Sequence, residues 1–168
     1  MKIYLIGFMS SGKSHWGKLL SRKLDIPFFD LDDQVVSSEG KSINDIFIEN
    51  GEEYFRQKEK EILHIISESH DTFIMATGGG TPCYYNNIDY MNQAGLTVWI
   101  STPVDTLFKR LVKEKEHRPL IKNLTDVQLK NYIIKKFSDR KIFYEQAAVI
   151  IEEEDITEDA FVSQIFHE

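Results

Sequence analysis

One octapeptide constrains the fold of this sequence more than any other stretch. Residues 7–14 read GFMSSGKS and fit G-x-x-x-x-G-K-[ST], the pattern of phosphate-binding loops. The apolar residues 2–6 before it predict a buried strand, and residues 15–24 after it have the spacing of an amphipathic helix. Backbone N–H groups and the positive end of the helix dipole would stabilise a bound anion there. The sequence therefore predicts a nucleotide site in which Lys13 contacts the β- and γ-phosphates and Ser14 ligates Mg²⁺.

Strand and helix patterns alternate through the rest of the chain. Short apolar runs at residues 28–29, 72–76, 96–100 and 147–151 predict four more strands, with helical patterns between them. Such alternation indicates a parallel sheet covered by helices on both faces. We therefore predict one α/β domain over residues 1–168, with three α/β/α layers and a five-stranded parallel sheet.

Composition excludes several classes of function. The net charge of −7 and the isoelectric point near 5.3 argue against a general nucleic-acid binder, which would be basic. A single cysteine permits no intrachain disulfide and suits a reducing cytoplasm. No apolar run approaches the roughly 20 residues of a membrane span. We expect a cytoplasmic protein with no membrane or nucleic-acid partner.

Acidic residues follow the second predicted strand. Asp30 and Asp32 come directly after Phe28 and Phe29, where parallel strands end at the edge that binds ligands. Because alternate residues of a strand point to opposite sides, one carboxylate could serve Mg²⁺ and the other a substrate hydroxyl. The alternative is a solvated acidic turn, or a helix N-cap formed by Asp32 or Asp33.

Two further stretches carry candidate residues. Helix 52–69, after a short helix capped by Ser42 and stopped by Gly51, has Arg56 and Glu59 one turn apart. Such a pair is either an ordinary surface ion pair or an arginine held to bind a carboxylate. Residues 78–80 are three glycines after a strand, which predicts a backbone that passes close to a ligand rather than a flexible turn.

A charged stretch around Arg118 predicts a lid over the nucleotide. Thr102 and Pro103 are expected to cap and open the helix before it. That helix leads into residues 113–120, where a proline restricts Arg118 to extended conformations. The alternative is a solvated charged loop. The acidic residues 152–155 are expected to be solvated.

Six motifs, taken in order, resemble the shikimate kinase family of phosphate-loop (P-loop) kinases. They are Gly7–Ser14, Phe29-Asp30-x-Asp32, residues 42–47 followed by residues 51–59, Gly78–Gly80, Arg118-Pro119-Leu120, and Arg140-x-x-x-Tyr144. The resemblance implies the sheet order 2-3-1-4-5. It implies a substrate-binding region at about residues 31–60 and a lid at about 112–124. It also implies ATP-dependent phosphorylation of the 3-hydroxyl of shikimate, on the route to chorismate and the aromatic amino acids, by a monomer.

The same resemblance implies the role of each site residue. Lys13, Asp32 and Arg118 would be catalytic, with Asp32 acting as or near the general base. Shikimate would be bound by Asp32, Arg56, Gly79 and Arg140, with Glu59 orienting Arg56. Mg²⁺ would be held by Ser14 and, through water, by Asp30, and Arg110 would lie near the adenine. The residues implied to bind ATP are Ser10, Ser11, Gly12, Lys13, Ser14, His15 and Arg118.

The sequence departs from the family pattern at Ser10, where glycine is usual. If the position has a positive φ, serine is strained there by roughly 1–2 kcal/mol. The acidic residues 152–155 do not match the family's adenine contacts. Two other functions stay open: a kinase of the same fold that acts on another small acid such as gluconate, and a nucleotide-binding regulatory module without catalysis.

Overall fold

A computed structural model describes residues 1–166, and these contain a five-stranded parallel sheet packed between eight α-helices. The strand order β2-β3-β1-β4-β5 confirms the predicted topology. The strands are β1 (Lys2–Ile6), β2 (Phe28–Asp30), β3 (Phe73–Ala76), β4 (Leu96–Ser101) and β5 (Val149–Glu152). The helices are α1 (Lys13–Leu24), α2 (Leu31–Glu39), α3 (Ile43–Asn50), α4 (Glu52–Ser69), α5 (Asn87–Ala94), α6 (Val104–Glu114), α7 (Asp126–Tyr144) and α8 (Glu158–Phe166).

The two faces of the sheet bury separate apolar clusters, as the alternation of side chains along a strand requires. Tyr4 and Ile6 of β1 pack with residues of α4 and α7 on one face. Ile3 and Leu5 pack with Trp16 of α1 and residues of α8 on the other face. Both faces of the sheet are therefore covered, which confirms the three-layer prediction. None of the helices within residues 1–166 is long and apolar enough to cross a membrane.

The register of the sheet brings the candidate segments to one edge. Leu5 of β1 pairs with Ala76 of β3 and with Val98 of β4. Asp30, the last residue of β2, pairs with Ala76 as well. The phosphate-loop motif after β1, the acidic residues after β2 and the glycines after β3 therefore leave the sheet side by side, at the carboxyl edge where open α/β sheets bind ligands.

Helix boundaries follow the capping signals in the sequence. The Ser42 side chain accepts a hydrogen bond from the Asp45 N–H at the start of α3, and Gly51, with φ 86°, ends it. Helix α4 has the predicted bounds. Helix α7 begins with a capping box between Thr125 and Gln128. Local sequence therefore determines where these helices start and stop.

Two predicted caps are wrong. Asp30, rather than Asp32 or Asp33, caps α2 by accepting from the Asp33 N–H, because helix begins directly after this short strand. Asp32 consequently lies in the first helical turn and not on a strand. Thr102 does not cap α6, which begins at Val104 without a side-chain cap. Its hydroxyl donates instead to Glu153 at 3.0 Å.

Candidate active site

The phosphate-loop motif forms a cradle at the N-terminus of α1. Gly12 is the residue before the helix, with φ 101°, and the first turn of α1 carries no acidic side chain. Gly7 has φ 148°, and a Cβ there would lie 2.7 Å from the Ile100 carbonyl oxygen. Glycine is therefore required at the start of the loop. The positive end of the helix dipole faces a cavity of about 290 Å³, which is lined in part by Ser10, Lys13 and Ser14.

Ser10 has φ 63°, the positive value that makes serine strained. A non-glycine residue costs about 1–2 kcal/mol in this region. Its backbone and side chain are both held by α6: the carbonyl oxygen accepts from Arg110 Nη1 at 2.9 Å, and the hydroxyl donates to Glu114 Oε2 at 2.6 Å. Contacts with α6 therefore stabilise the strained loop residue.

Ser11 and His15 differ in their access to the phosphate cavity. His15 is exposed and lines that cavity. Ser11 is buried, and its N–H donates to the Phe8 carbonyl oxygen. Its hydroxyl has no hydrogen-bond partner among residues 1–166. The structure therefore brings His15 to the cavity but turns the Ser11 side chain into the loop.

The Lys13 ammonium lies folded over the loop. Its Nζ donates to the carbonyl oxygens of Gly7 at 2.6 Å and Phe8 at 2.9 Å. Burial lowers the pKa of Lys13 to about 7, although the nearby Asp32 carboxylate works against that shift. A bound polyphosphate would supply the missing negative charge and restore the ammonium form.

Ser14 and Asp30 form an oxygen pair that suits a hard cation. Ser14 Oγ donates to Asp30 Oδ2 at 3.1 Å, and both residues line the phosphate cavity. No group of three or more His, Cys, Asp or Glu side chains within residues 1–166 is arranged to hold a metal ion. Mg²⁺ commonly takes only one or two protein ligands and completes its shell with waters and substrate phosphates. The two oxygens therefore fit a Mg²⁺ ion that arrives with a nucleotide.

Asp32 lies where the phosphate cavity meets a second cavity of about 330 Å³. Burial raises the pKa of Asp32 to about 6, and the carboxylates of Glu59 and Asp30 add to that shift. Arg118 also lines both cavities. A carboxylate with a raised pKa and an arginine therefore line both cavities, which is typical of a functional site.

Arg56 belongs to a buried network rather than to a surface ion pair. Its Nη1 donates to Glu59 Oε1 at 3.0 Å, and Glu59 is fully buried. The guanidinium also stacks over the Tyr84 ring, 4.3 Å from its centroid. The Thr81 hydroxyl donates to Glu59 Oε2 at 2.8 Å and accepts from the Gly78 N–H at 2.8 Å. This network fixes the arginine against the glycine run.

The three glycines pass between two arginines. A Cβ on Gly79 would lie 3.0 Å from Arg140 Nη1, and a Cβ on Gly80 would lie 2.6 Å from Arg56 Nη2. Both guanidinium groups line the second cavity. The Tyr144 hydroxyl donates to the Gly79 carbonyl oxygen at 2.6 Å and holds the run in place. A side chain on Gly80 would displace the Arg56 guanidinium, and one on Gly79 would crowd Arg140, which explains these two glycines.

The lid segment covers the second cavity. The helix α6 ends at Glu114, and a 3-10 turn follows at Lys115–His117. Pro119 and Ile121 line the second cavity, and Ile121 is fully buried. Arg118 Nε donates to Glu114 Oε2 at 3.0 Å. The charged stretch is therefore docked on the site and is not a freely solvated loop.

Arg110 faces the phosphate loop as part of a second buried network. Its Nη1 lies 2.6 Å from Glu153 Oε1 and also donates to the Ser10 carbonyl oxygen. Glu153 is only 7% exposed. The expectation that residues 152–155 are all solvated is thus wrong at Glu153, because Arg110 and Thr102 satisfy its carboxylate.

Comparison with known proteins agrees with this geometry. A family model described as shikimate kinase matches residues 9–168, nearly the whole chain. The chain belongs to the shikimate kinase family. A shikimate kinase from Azobacteroides pseudotrichonymphae is 39% identical over 149 residues, covering 89% of this chain and 88% of the relative. The resemblance inferred from the six motifs is confirmed.

Solved structures of shikimate kinases share the fold as well. The enzyme from Bacteroides thetaiotaomicron is 35% identical, with a TM-score of 0.89 over 99% of this chain and 95% of that one. A shikimate kinase from Acinetobacter baumannii, solved in complex with shikimate, is 29% identical, with a TM-score of 0.85 over 97% of this chain and 88% of that one. This chain is therefore a kinase with the fold of its family.

Four site residues had no predicted role from the sequence: Thr81, Glu114, Tyr144 and Glu153. Each of these side chains contacts a residue far away in the chain, or a loop whose path the local sequence pattern does not determine. Tyr144 was part of a family motif, but nothing in the sequence indicated its contact with Gly79. Glu153 follows β5 directly. Its position at the carboxyl end of a strand is the one sequence signal that could have indicated a role at the site.

Proposed function

We propose that this shikimate kinase family member transfers the γ-phosphoryl group of ATP to the 3-hydroxyl of shikimate, a step of aromatic amino-acid biosynthesis. One observation carries the proposal: the cavity at the phosphate loop and the second cavity, lined by Arg56 and Arg140, are both lined by Asp32 and Arg118. Direct transfer between two substrates requires that geometry, because donor and acceptor must be in line and close together.

Shikimate would be bound by its carboxylate and its hydroxyls. Arg56 and Arg140 present two cationic groups on either side of the glycine run, and arginine binds carboxylates in a fork geometry. Gly79 would contact shikimate through its backbone, while Asp32 accepts hydrogen bonds from the hydroxyls. This arrangement matches an anion at one end of a small ring and hydroxyls at the other.

Asp32 would act as the general base. As the 3-oxygen attacks the γ-phosphorus, the hydroxyl proton passes to the Asp32 carboxylate. The new O–P bond forms while the bond between the γ-phosphorus and the β,γ-bridging oxygen breaks, and ADP leaves with that electron pair. A carboxyl pKa of about 6 suits this role, since Asp32 is ionised at neutral pH and still basic enough to accept the proton.

Positive charge around the transferred group would come from Lys13, Arg118 and the loop N–H groups. The ATP phosphates would lie against Ser10, Gly12, Ser14 and His15 in the loop cavity. Mg²⁺, bound by Ser14 and through water by Asp30, would neutralise charge on the β- and γ-phosphates. Ser11 stays a predicted contact. Closure of the lid excludes water, which would otherwise take the phosphoryl group.

We further propose that the chain acts as a cytoplasmic monomer on small molecules alone. The supporting facts are its acidic net charge of −7 and its single cysteine. Residues 1–168 would form one domain, with a substrate-binding region at about 31–60 and a lid at about 112–124. Sedimentation at several concentrations tests this, and a concentration-dependent rise in mass would contradict it.

A coupled ADP-release assay tests the proposed reaction. Purified protein is given Mg-ATP with shikimate, quinate, gluconate or no acceptor, and Lys13→Ala serves as the control for catalysis by the loop. We expect ADP release only with shikimate and its loss in the Lys13 variant. Faster ADP release with gluconate than with shikimate would mean that the arginines bind another acid. ATP binding without ADP release would favour a regulatory module.

A further inference from the structure

The lid and the phosphate loop share one carboxylate. Glu114, the last residue of α6, accepts from Arg118 Nε at 3.0 Å and from Ser10 Oγ at 2.6 Å, both through its Oε2. Arg118 Nη2 also lies 3.4 Å from Ser10 Oγ. The three side chains therefore form a closed cluster, which we call the Glu114 cluster, between two segments about 100 residues apart in the chain.

The Glu114 cluster uses only one edge of the Arg118 guanidinium. Nε and Nη2 are engaged, whereas Nη1 makes no hydrogen bond to another residue within the described part of the chain. Glu114, Arg118 and Lys13 all line the phosphate cavity. Because the guanidinium is planar and rigid, holding one edge determines where the opposite edge points.

A carboxylate orients an arginine in the same way elsewhere in this chain, where Glu59 accepts a hydrogen bond from one nitrogen of Arg56. Glu114 has the same relation to Arg118, four residues away instead of three. Partial burial works to raise the pKa of Glu114, but hydrogen bonds from Ser10 and Arg118 outweigh it and the pKa is lowered. The carboxylate is therefore ionised at neutral pH and pairs with the arginine.

Ser10 explains why the cluster is attached to the loop. With φ 63°, the position favours glycine, which would have no strain there but also no hydroxyl. The serine hydroxyl donates a hydrogen bond to Glu114, a residue of the neighbouring helix α6. The strained residue thus gains a contact with the lid that glycine cannot provide.

We propose that Glu114 is a positioning residue that aims Arg118 at the transferred phosphoryl group, and that the Ser10 hydroxyl anchors it to the phosphate loop. This inference rests on the proposed function, in which Arg118 contacts that group. Glu114 itself touches no reacting atom. Its removal should lower the rate of transfer and leave the binding of shikimate unchanged.

A double-mutant cycle tests the coupling. The variants are Glu114→Ala, Arg118→Ala and the double variant. Glu116→Ala is the matched control, because Glu116 is an exposed carboxylate of the same lid without an ion pair among residues 1–166. The assay measures kcat and KM for both substrates, and thermal unfolding checks that each variant is folded.

We expect Arg118→Ala to lower kcat by about 10³, as removal of such an arginine does. Glu114→Ala should lower kcat about tenfold with KM for shikimate unchanged, and the double variant should match Arg118→Ala within about twofold. Glu114→Gln keeps an acceptor for Arg118 and Ser10 and should recover most of the loss. Ser10→Ala should lower kcat about threefold alone and should add nothing to Glu114→Ala.

Two results would overturn the inference while leaving the proposed function intact. One is a Glu114→Ala variant as active as Glu116→Ala. The other is a double variant about tenfold worse than Arg118→Ala, which would mean independent effects. If Arg118→Ala itself turned over normally, the role of Arg118 in the proposed function would be refuted, and the role of Glu114 with it.

Discussion

Replacing Arg56 by alanine separates the two tasks of this arginine. Its guanidinium would bind the shikimate carboxylate, and it also satisfies Glu59, which is fully buried and 3.0 Å away. Shikimate binding and folding stability should therefore fall together, through different contacts. ATP binding should not change, because the phosphate cavity does not include Arg56.

The binding loss follows from the contacts removed. Each hydrogen bond between charged groups contributes about 1.5–3 kcal/mol. Arg140 remains on the other side of the glycine run and keeps part of the carboxylate's binding energy. We expect a net loss of about 3 kcal/mol, which weakens shikimate binding roughly 100-fold.

The stability loss follows from the carboxylate left behind. A buried charge that loses its partner lowers the free energy of unfolding by about 3–5 kcal/mol. Because Glu59 keeps its hydrogen bond from Thr81, we expect a loss of about 3 kcal/mol. For a chain of this size, Tm should fall by about 6–12 °C. The double variant Arg56→Ala/Glu59→Gln removes the charge and should regain most of that stability without regaining shikimate binding.

Calorimetric titration with shikimate and ATP, together with thermal unfolding, measures both effects. Lys58→Ala is the matched control, since Lys58 is a cation of the same helix paired with the exposed Glu61. We expect the control to bind and melt like the wild type. Equal losses of shikimate and ATP affinity, or an Arg56→Ala variant that melts with the wild type, would refute the reasoning.

Three further predictions concern Asp32, Thr81 and Tyr144. Because Asp32 must be ionised to accept a proton and its pKa is about 6, kcat/KM should fall about tenfold per pH unit below that value; a flat profile from about pH 5 to 8 would contradict its role as base. Thr81→Val removes the hydrogen bond to Glu59 Oε2 and the acceptor of the Gly78 N–H, while Glu59 Oε1 keeps its bond from Arg56. It should cost about 2–3 kcal/mol in unfolding experiments and raise KM for shikimate but not for ATP. Tyr144→Phe removes one hydrogen bond to Gly79 and should raise KM for shikimate a few-fold, so an unchanged value would separate the tyrosine from the site.

The sequence predicted those features whose cause is local. The bounds of α4 and the ends of α3 at Ser42 and Gly51 follow from neighbouring residues. The sheet order was predicted from the family resemblance, because strand and helix alternation alone permits several orders of parallel strands. The phosphate loop was predicted because its glycines, lysine and serine lie within eight residues of sequence, Gly7–Ser14.

The buried networks were not predictable, because their members meet only after folding. Glu153 looked like one of several solvated acids, yet Arg110 approaches it from α6, 43 residues earlier in the chain. The ion pair of Arg56 and Glu59 was visible as a helical spacing, but its burial depends on residues of the glycine segment such as Thr81. The sequence pattern predicts the spacing of charges along one helix. It does not predict which residues from the rest of the chain will bury those charges.

Phosphorus NMR of the complete reaction tests the central claim most directly. Protein, Mg-ATP and shikimate are followed until the ATP is consumed. We expect ADP and one new phosphomonoester signal in equal amounts, with the phosphorus coupled to the proton on C3 of the shikimate ring. Inorganic phosphate in place of the ester, or coupling to the proton on C4 or C5, would contradict the account.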